Sequence, residues 1–129
     1  MNTKHTELHD VSLIIATYNE EESLGYVLGE IEDFNIGEII IIDKNSTDNT
    51  KNIAEKYDVK FITQSLEGWG GAVKEAIELS SKEYITYMDG DGSYNPKSLN
   101  EMKTLIKDLD AVFCSRYKDG AKSPDDTFI

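Results

Sequence analysis

Short apolar runs alternate with amphipathic stretches along most of this chain, and the alternation predicts strands and helices in turn. The first run, residues 11–16, ends in polar residues, and apolar positions recur at helical spacing from residue 21 onward. Four consecutive isoleucines within residues 38–42 predict a strand that is buried on both faces of a parallel sheet. Three further strands are predicted over residues 60–63, 84–88 and 111–115.

Four helices are predicted between these five strands. The first ends near residues 35–37, and the second is capped by Ser46, Thr47 or Asp48 and runs to about Tyr57. The third opens with the Gly-Trp-Gly-Gly turn at residues 68–71, and the fourth starts at Pro96. Strands that alternate with helices predict a mostly parallel sheet, and right-handed crossovers place helices on both of its faces. The predicted fold is therefore α/β, a Rossmann-like three-layer sandwich.

In such folds, ligands bind beyond the carboxyl ends of the strands. The candidate segments are therefore residues 17–20, 43–47, 65–71 and 89–94, together with residue 116 onward. One domain is expected over residues 1–117, followed by a polar tail over residues 118–129 with no predicted element.

The charge balance narrows the classes of ligand. A formal net charge of −12 argues against a nucleic-acid-binding surface, which depends on lysine and arginine. An anionic ligand such as a diphosphate would need a divalent cation to offset the repulsion. The single cysteine, Cys114, is expected in the core, and the polar start and the lack of a membrane-length apolar run predict a cytoplasmic protein.

Two carboxylates follow the strand predicted over residues 84–88. Asp89 and Asp91 lie two apart in nearly extended backbone, where side chains project to the same side, and Gly90 and Gly92 leave room beside them. Oxygen ligands with space for water and phosphate suit Mg²⁺ or Mn²⁺. The alternative is an ordinary Asp-Gly turn. An EF-hand loop is excluded, because its glycine and terminal glutamate positions hold Tyr94 and Asn100.

Three other segments offer ligand contacts, each with a structural alternative. Asp43 ends the isoleucine strand and is a candidate to accept hydrogen bonds from a base or ribose, although the residues after it also suit a helix cap. Tyr18, in the loop after the first strand, is a candidate contact of a nucleotide. The glycine turn allows a ligand to approach closely, or it merely turns the chain while Trp69 covers the core.

Taken together and in order, these motifs resemble the family 2 glycosyltransferases of the GT-A fold, especially the polyprenyl-phosphate (dolichol-phosphate) sugar transferase branch. The resemblance runs from Val11 to Tyr117. It is carried by five segments: residues 11–20, 41–50, 68–73, 88–92 and 115–117.

The resemblance implies a role for each matching residue. Asp89 and Asp91 would hold Mg²⁺ or Mn²⁺ at a nucleotide-diphosphate sugar donor, and Arg116 is a candidate contact of the diphosphate or acceptor. Many members have a second aspartate where Lys44 follows Asp43, so the preferred nucleobase stays open. The implied nucleotide-binding set is Thr17, Tyr18, Glu20, Asp43, Lys44, Gly70 and Asp89.

The resemblance also implies elements that would follow residue 117, because the family extends into acceptor-binding elements and, in this branch, membrane-associated helices. The acceptor would be a lipid phosphate met at the cytoplasmic face of the membrane. No residue of the chain is a convincing catalytic base, which is expected outside it. The chain alone is therefore expected to bind donor without transferring sugar.

Three other functions fit parts of the pattern. A nucleotidyltransferase would use the same acidic metal chemistry, but the glycine turn lacks the lysine or arginine expected at a triphosphate. A receiver-type signalling domain would use Asp89 as phosphate acceptor, yet Arg116 stands where it needs a lysine. A non-catalytic sugar-nucleotide-binding module stays open.

Overall fold

The computed structural model of the chain describes residues 7–115, and within them strands and helices alternate. Two single-turn 3₁₀ segments, Glu32–Phe34 and Ile106–Asp108, follow the first and last helices. The main elements are β1 (Val11–Thr17), α1 (Leu24–Ile31), β2 (Glu38–Asp43), α2 (Thr50–Ala54), β3 (Lys60–Thr63), α3 (Gly68–Leu79), β4 (Tyr84–Asp89) and α4 (Ser98–Leu105).

The four strands form one sheet in the order β3-β2-β1-β4, and every pairing is parallel. This confirms the predicted α/β class with a parallel sheet. The strand order reverses at β1, because β2 lies on one side of it and β4 on the other. Right-handed crossovers therefore place α1 and α2 on one face and α3 on the opposite face.

The predicted fifth strand is not observed, since residues 111–115 have no regular secondary structure. The prediction relied on the apolar character of Ala111, Val112 and Phe113. A strand is defined by a hydrogen-bonded ladder with a neighbour, which apolar residues do not supply by themselves. Phe113 is 89% exposed, and Cys114 is exposed rather than in the core as expected.

The isoleucine strand is buried on both sides because α3 covers one face of the sheet and α1 covers the other. Ile14, Ile40 and Ile42 form a cluster with Ala72 and Ala76 of α3, whose small side chains let the helix lie close to the sheet. The alternate residues of β1 and β2 point to the other face, where α1 buries four apolar side chains. The residues on that second face are Leu13, Ile15, Ile41, Leu24, Val27, Leu28 and Ile31.

Helix boundaries agree with the sequence in part. Asn35 has the left-handed conformation (φ 52°) and follows the first helical segment where an end was expected. The second helix begins only at Thr50, where Asp48 accepts a 3.0 Å hydrogen bond from the Thr50 backbone N–H. The fourth begins at Ser98 rather than at Pro96.

The chain divides into two compact units at Pro96, and the first contains the whole sheet with α1, α2 and α3. Residues 116–129, including Arg116 and the predicted boundary at 117, lie outside the described residues. Across residues 7–115, no helix has both the length and the apolar character needed to cross a membrane.

A buried carboxylate joins the elements at the amino end of the sheet. Glu38 is 8% exposed and accepts hydrogen bonds from Ser12 Oγ at 2.6 Å and the Ser81 backbone N–H at 2.9 Å, and it forms an ion pair with Lys60. Burial opposes the charged form of Glu38, but hydrogen bonds from Lys60, Ser12 and Ser81 outweigh it and lower its pKa to about 2. The network links β1, β2, β3 and the segment after α3.

We expect the stability contributed by Glu38 to be present above pH 4.5 and lost as the pH falls toward 2, because its pKa is lower in the folded state than in the unfolded chain. The loss should be about 2 kcal/mol, since solvent screens the largely exposed Lys60 partner. The measurement is urea unfolding between pH 5 and pH 2. Glu38→Gln should flatten this pH dependence, whereas Glu32→Gln, at an exposed carboxylate, should not. An unchanged pH profile in Glu38→Gln would contradict the assignment.

Candidate functional site

Strand register brings the predicted site residues to one edge of the sheet. Thr17, the last residue of β1, pairs with Asp43 of β2, and Ala16 beside it pairs with Asp89 of β4. The carboxylates of Asp43 and Asp89 therefore end the two strands that flank β1. Because strand order reverses at β1, this edge is a topological switch point, where ligands of α/β sheets bind.

Asp43 is buried and organises the loop that follows its own strand. Its side chain accepts hydrogen bonds from Thr17 Oγ1 at 2.6 Å, Ser46 Oγ at 2.6 Å and the Ser46 backbone N–H at 2.7 Å. Only 2% of Asp43 is exposed. Since an ionised carboxylate has about four acceptor positions, these three donors occupy most of them.

Reciprocal hydrogen bonds join the loops after β1 and β2. The Asn19 backbone N–H donates to Ser46 Oγ at 2.8 Å, and the Thr47 N–H donates to Asn19 Oδ1 at 2.8 Å. The Glu20 N–H donates to Thr50 Oγ1 at 2.9 Å. Asn19 takes the left-handed conformation (φ 50°), which asparagine tolerates better than most residues. The two loops thus form one rim whose shape exists before any ligand arrives.

Tyr18 and Lys44 meet on the exposed side of this rim. The Lys44 Nζ lies 5.5 Å from the centre of the Tyr18 ring, within range of a cation–π contact, and Tyr18 is 53% exposed. Beside Lys44 is a cavity of about 380 Å³. It is lined by Lys44, Asn45, Gln64, Ser65, Leu66, Glu67 and Gly68.

The acidic motif after β4 folds tightly against β1. Gly90 is buried, and a Cβ there would lie 2.9 Å from Thr17 Cγ2 and 3.3 Å from the Ala16 carbonyl oxygen, so a larger residue would push the motif away. The Gly90 carbonyl accepts a 2.9 Å hydrogen bond from Ser23 Oγ, just before α1. Asp91 accepts a hydrogen bond from the Ser93 N–H at 2.9 Å and is exposed.

An open, strongly acidic cavity of about 510 Å³ lies at this motif. Five of its seven lining residues carry carboxylates and none of the seven is basic. Burial raises the pKa of Glu20; the hydrogen bond from Ser23 opposes this, and the nearby charges of Asp91, Asp89 and Asp48 add to the rise. The lining residues are Asn19, Glu20, Glu21, Glu22, Ser23, Asp48 and Asp91.

The carboxylate oxygens of the acidic motif suit Mg²⁺ or Mn²⁺. Both cations accept carboxylate ligands and can keep other coordination positions for water or phosphate oxygens. Within residues 7–115, no three Asp, Glu, His or Cys side chains converge closely enough to enclose a metal ion. Among the described residues, Asp89 and Asp91 alone would leave coordination positions of such a cation open to water or phosphate oxygens.

The glycine turn at the start of α3 combines a left-handed backbone conformation, a close approach and open space. Gly68 has φ +77°, and a Cβ on Gly71 would lie 2.9 Å from Leu66 Cβ. A Cβ on Gly70 would meet nothing within 4 Å, so this face of the turn is open. Glu75 secures the preceding loop by accepting a 2.9 Å hydrogen bond from the Ser65 N–H.

Trp69 does not cover the core, since 66% of it is exposed. Its ring stands edge-on to Tyr87, with centroids 5.5 Å apart, and its Nε1–H donates to Tyr87 Oη at 2.8 Å. The Tyr87 hydroxyl donates to Asp89 Oδ1 at 2.5 Å. Tyr87 was not among the residues predicted from the sequence, although its position two residues before Asp89 in a strand places both side chains on the same face.

Two polar residues of the rim were also absent from the predicted site. Asn19 and Ser46 join the loops, whereas Ser46 was expected only to cap a helix. Their signal was present in the sequence, because short polar residues directly after parallel strands meet at one edge.

Comparison with known proteins finds glycosyltransferases both by family and by individual relatives. The sequence model of glycosyl transferase family 2 matches residues 12–128. Glycosyltransferase AglJ of Haloferax volcanii is 33% identical over 84% of this chain and 37% of its own length. The dolichyl-phosphate hexose transferase of the same organism is 32% identical over 88% of the chain and 51% of its length. The dolichol-phosphate mannosyltransferase of Pyrococcus furiosus is 33% identical over 87% of this chain and 34% of its own length.

The chain thus spans about a third to a half of the length of these relatives. Among solved structures, mannosyl-3-phosphoglycerate synthase of Rubrobacter xylanophilus matches 78% of this chain and 37% of its own, with a TM-score of 0.69 and 19% identity. A second match is glucosyl-3-phosphoglycerate synthase of Mycobacterium tuberculosis in complex with Mn²⁺, UDP and glucosyl-3-phosphoglycerate. It covers 62% of this chain and 33% of its own, with a TM-score of 0.58 and 21% identity. At these identities the structural matches support the fold.

We expect Asp43→Ala to lower the free energy of unfolding by about 2–3 kcal/mol, because it leaves Thr17 Oγ1 and two donors of Ser46 without their acceptor. Chemical denaturation measures the loss. The control is Asp58→Ala, at an exposed carboxylate, which should change stability by no more than about 0.5 kcal/mol. Equal stabilities of the two variants would show that Asp43 does not hold the loop together.

Proposed function

The chain belongs to glycosyl transferase family 2, and from that premise we propose that it binds a nucleotide-diphosphate sugar at the carboxyl edge of its sheet as the donor of a glycosyl transfer. One observation carries the proposal: the register of β1 with β2 and β4 brings Asp43 and the Asp89–Asp91 motif to the same switch point. The family assignment also sets aside the receiver-type and nucleotidyltransferase interpretations.

The nucleoside end of the donor is proposed to lie on the β2 side of this edge. Tyr18 offers an exposed ring for stacking, and Lys44 offers a cation beside the cavity of about 380 Å³. Asp43 and Thr17 lie beneath them and are hydrogen-bonded to each other. Their role in this proposal is to fix the rim, with the remaining acceptor position of Asp43 available to a base or ribose donor group.

The diphosphate end is proposed to lie on the β4 side. Asp89 and Asp91 would hold Mg²⁺ or Mn²⁺, with Glu20 adding negative charge nearby. When bound, the cation would offset the charge of the diphosphate and stabilise the charge that develops on it as the sugar departs. The open face of Gly70 would leave room for phosphate oxygens at the start of α3.

The acceptor is proposed to be a polyprenyl phosphate. This rests on two relatives whose names give dolichyl or dolichol phosphate as the group they act on. A phosphate acceptor is already anionic, so the described residues would not need to remove a proton from it. Their part in the reaction is to bind and orient the donor. Such an acceptor would be met at a membrane surface.

We predict that donor binding depends on a divalent cation and on Asp91. In a thermal-shift screen of UDP-, GDP- and dTDP-sugars, stabilisation should appear with Mn²⁺ and vanish in EDTA. Asp91→Asn should weaken Mn²⁺-supported binding of the best donor by about 1–3 kcal/mol in calorimetry, as expected for loss of a charge-assisted contact.

Asparagine keeps an oxygen that can accept the hydrogen bond from the Ser93 N–H, so the Asp91→Asn chain should stay folded. Asp58→Asn makes the same change at an exposed site and should bind donor normally. Equal donor affinity with Mn²⁺ and with EDTA would contradict the proposed function.

We further predict that Lys44→Asp changes the ranking of UDP, GDP and dTDP ligands, because it replaces the cation at the nucleoside end with an acceptor. The measurement is competitive calorimetry of the three nucleotides with Mn²⁺ present. Lys56→Asp imposes the same charge change at another exposed lysine and should preserve the ranking. If both variants keep the wild-type ranking, Lys44 does not contact the base.

A further inference from the structure

We infer that Tyr87, held by Trp69, is a positioning residue that fixes the orientation of the Asp89 carboxylate for the cation. This inference rests on the proposed function, in which Asp89 is a metal ligand. It adds to the acidic motif an aromatic support, which is supplied by the glycine turn of α3 and by β4.

The direction of the hydrogen bonds follows from the chemistry of the three groups. An indole N–H can only donate, so Trp69 Nε1 must be the donor of the 2.8 Å hydrogen bond to Tyr87 Oη. The Tyr87 hydroxyl therefore cannot donate to Trp69 and donates instead to Asp89 Oδ1, which lies 2.5 Å away. Trp69 therefore selects the one hydroxyl orientation in which Tyr87 supports the carboxylate.

The support has a consequence for the acidic motif. With Oδ1 held by Tyr87, the Asp89 carboxylate is hindered from rotating about its terminal bond, and Oδ2 becomes the oxygen best placed for a cation. Partners that orient a ligand in this way set the geometry of metal sites without contacting the metal. The effect depends on the hydroxyl group, because the ring alone provides no hydrogen bond.

The placement of Trp69 has no explanation in core packing, since two thirds of the side chain is exposed. The left-handed Gly68 starts α3 so that Trp69 lies in its first turn, where the ring stands at 85° to that of Tyr87. The contact joins the turn after β3 to the end of β4. The glycine turn thus reaches Asp89 through the side chains of Trp69 and Tyr87.

The test measures Mn²⁺ binding by the loss of the free-ion EPR signal, with Mn²⁺ alone and in parallel series with UDP and with GDP. Tyr87→Phe should keep the ring contact and weaken Mn²⁺ binding by about 10- to 100-fold, the usual cost of losing such a support. The control is Tyr57→Phe, which removes a hydroxyl that donates to the carbonyl of Gly25 in α1 at 3.1 Å. It should bind Mn²⁺ within about twofold of wild type.

A second variant separates positioning from a general structural role. Trp69→Phe keeps an aromatic edge but lacks the N–H donor, so it should weaken Mn²⁺ binding in the wild-type chain. In the Tyr87→Phe background it should add little, because its effect acts through the missing hydroxyl. Additive losses from the two substitutions would overturn the inference.

Asp89→Asn distinguishes failure of this inference from failure of the proposed function. If Asp89→Asn loses Mn²⁺ binding while Tyr87→Phe stays within about twofold of wild type, Asp89 is a ligand that needs no support and only the positioning inference is wrong. If Asp89→Asn itself binds Mn²⁺ like wild type, or if wild type binds none in any series, both the inference and the proposed metal site are wrong.

Discussion

Strand β1 pairs with a parallel neighbour along both of its edges, and the rest of the fold is arranged around that double pairing. Each parallel pair needs a crossover, and the right-handed preference places α1 and α2 on one face and α3 on the other. Ser12 to Ala16 each pair with a residue of both β2 and β4, so the register cannot slip at one edge without disturbing the other. The loops after β1, β2 and β4 consequently end at fixed positions beside one another.

The loops at this edge keep their shape through polar contacts that apolar packing cannot supply. Glu21 and Asp48 show the pattern: the Glu21 N–H donates to Asp48 Oδ2 at 3.1 Å, and the Asn49 N–H donates to Glu21 Oε2 at 3.0 Å. Each loop supplies a backbone donor and a side-chain acceptor to the other. A rim built in this way loses little conformational freedom when a ligand binds, which is the physical meaning of preorganisation.

The sequence was sufficient for the elements whose signal is burial. The apolar run of β1 and the four isoleucines of β2 predicted these two strands, because apolar side chains on both faces leave few other arrangements. β3 and β4 were also predicted from short apolar runs, although most of their residues are only partly buried or exposed. The same reasoning failed at residues 111–115, since an apolar run does not specify a ladder partner. Of the three cap residues predicted for the second helix, Asp48 bonds at the helix start, whereas Ser46 bonds to Asp43 and Asn19 in the loops.

The candidate site shows the same division. Asp89 and Asp91 stand out in the sequence because carboxylates beside glycines after a strand have a recognisable chemistry. Their supports do not, since Trp69 and Tyr87 are 18 positions apart and meet only through the crossover of α3. Long-range pairs of this kind follow from topology, so sequence periodicity could place each residue on its element but not the two in contact.

Two carboxylates of the same edge illustrate how environment assigns different tasks to one chemical group. Asp43 is almost fully buried, and three donors from Thr17 and Ser46 satisfy its charge within the protein. Asp91 is exposed and lies among other acids, with the Ser93 N–H donating to one of its oxygens. A buried carboxylate with three donors gains little from a cation, whereas clustered exposed carboxylates repel one another until a cation offsets their charge. The geometry therefore favours a structural task for Asp43, and in the proposed function it is the acidic motif after β4 that attracts a cation and, through it, an anionic donor.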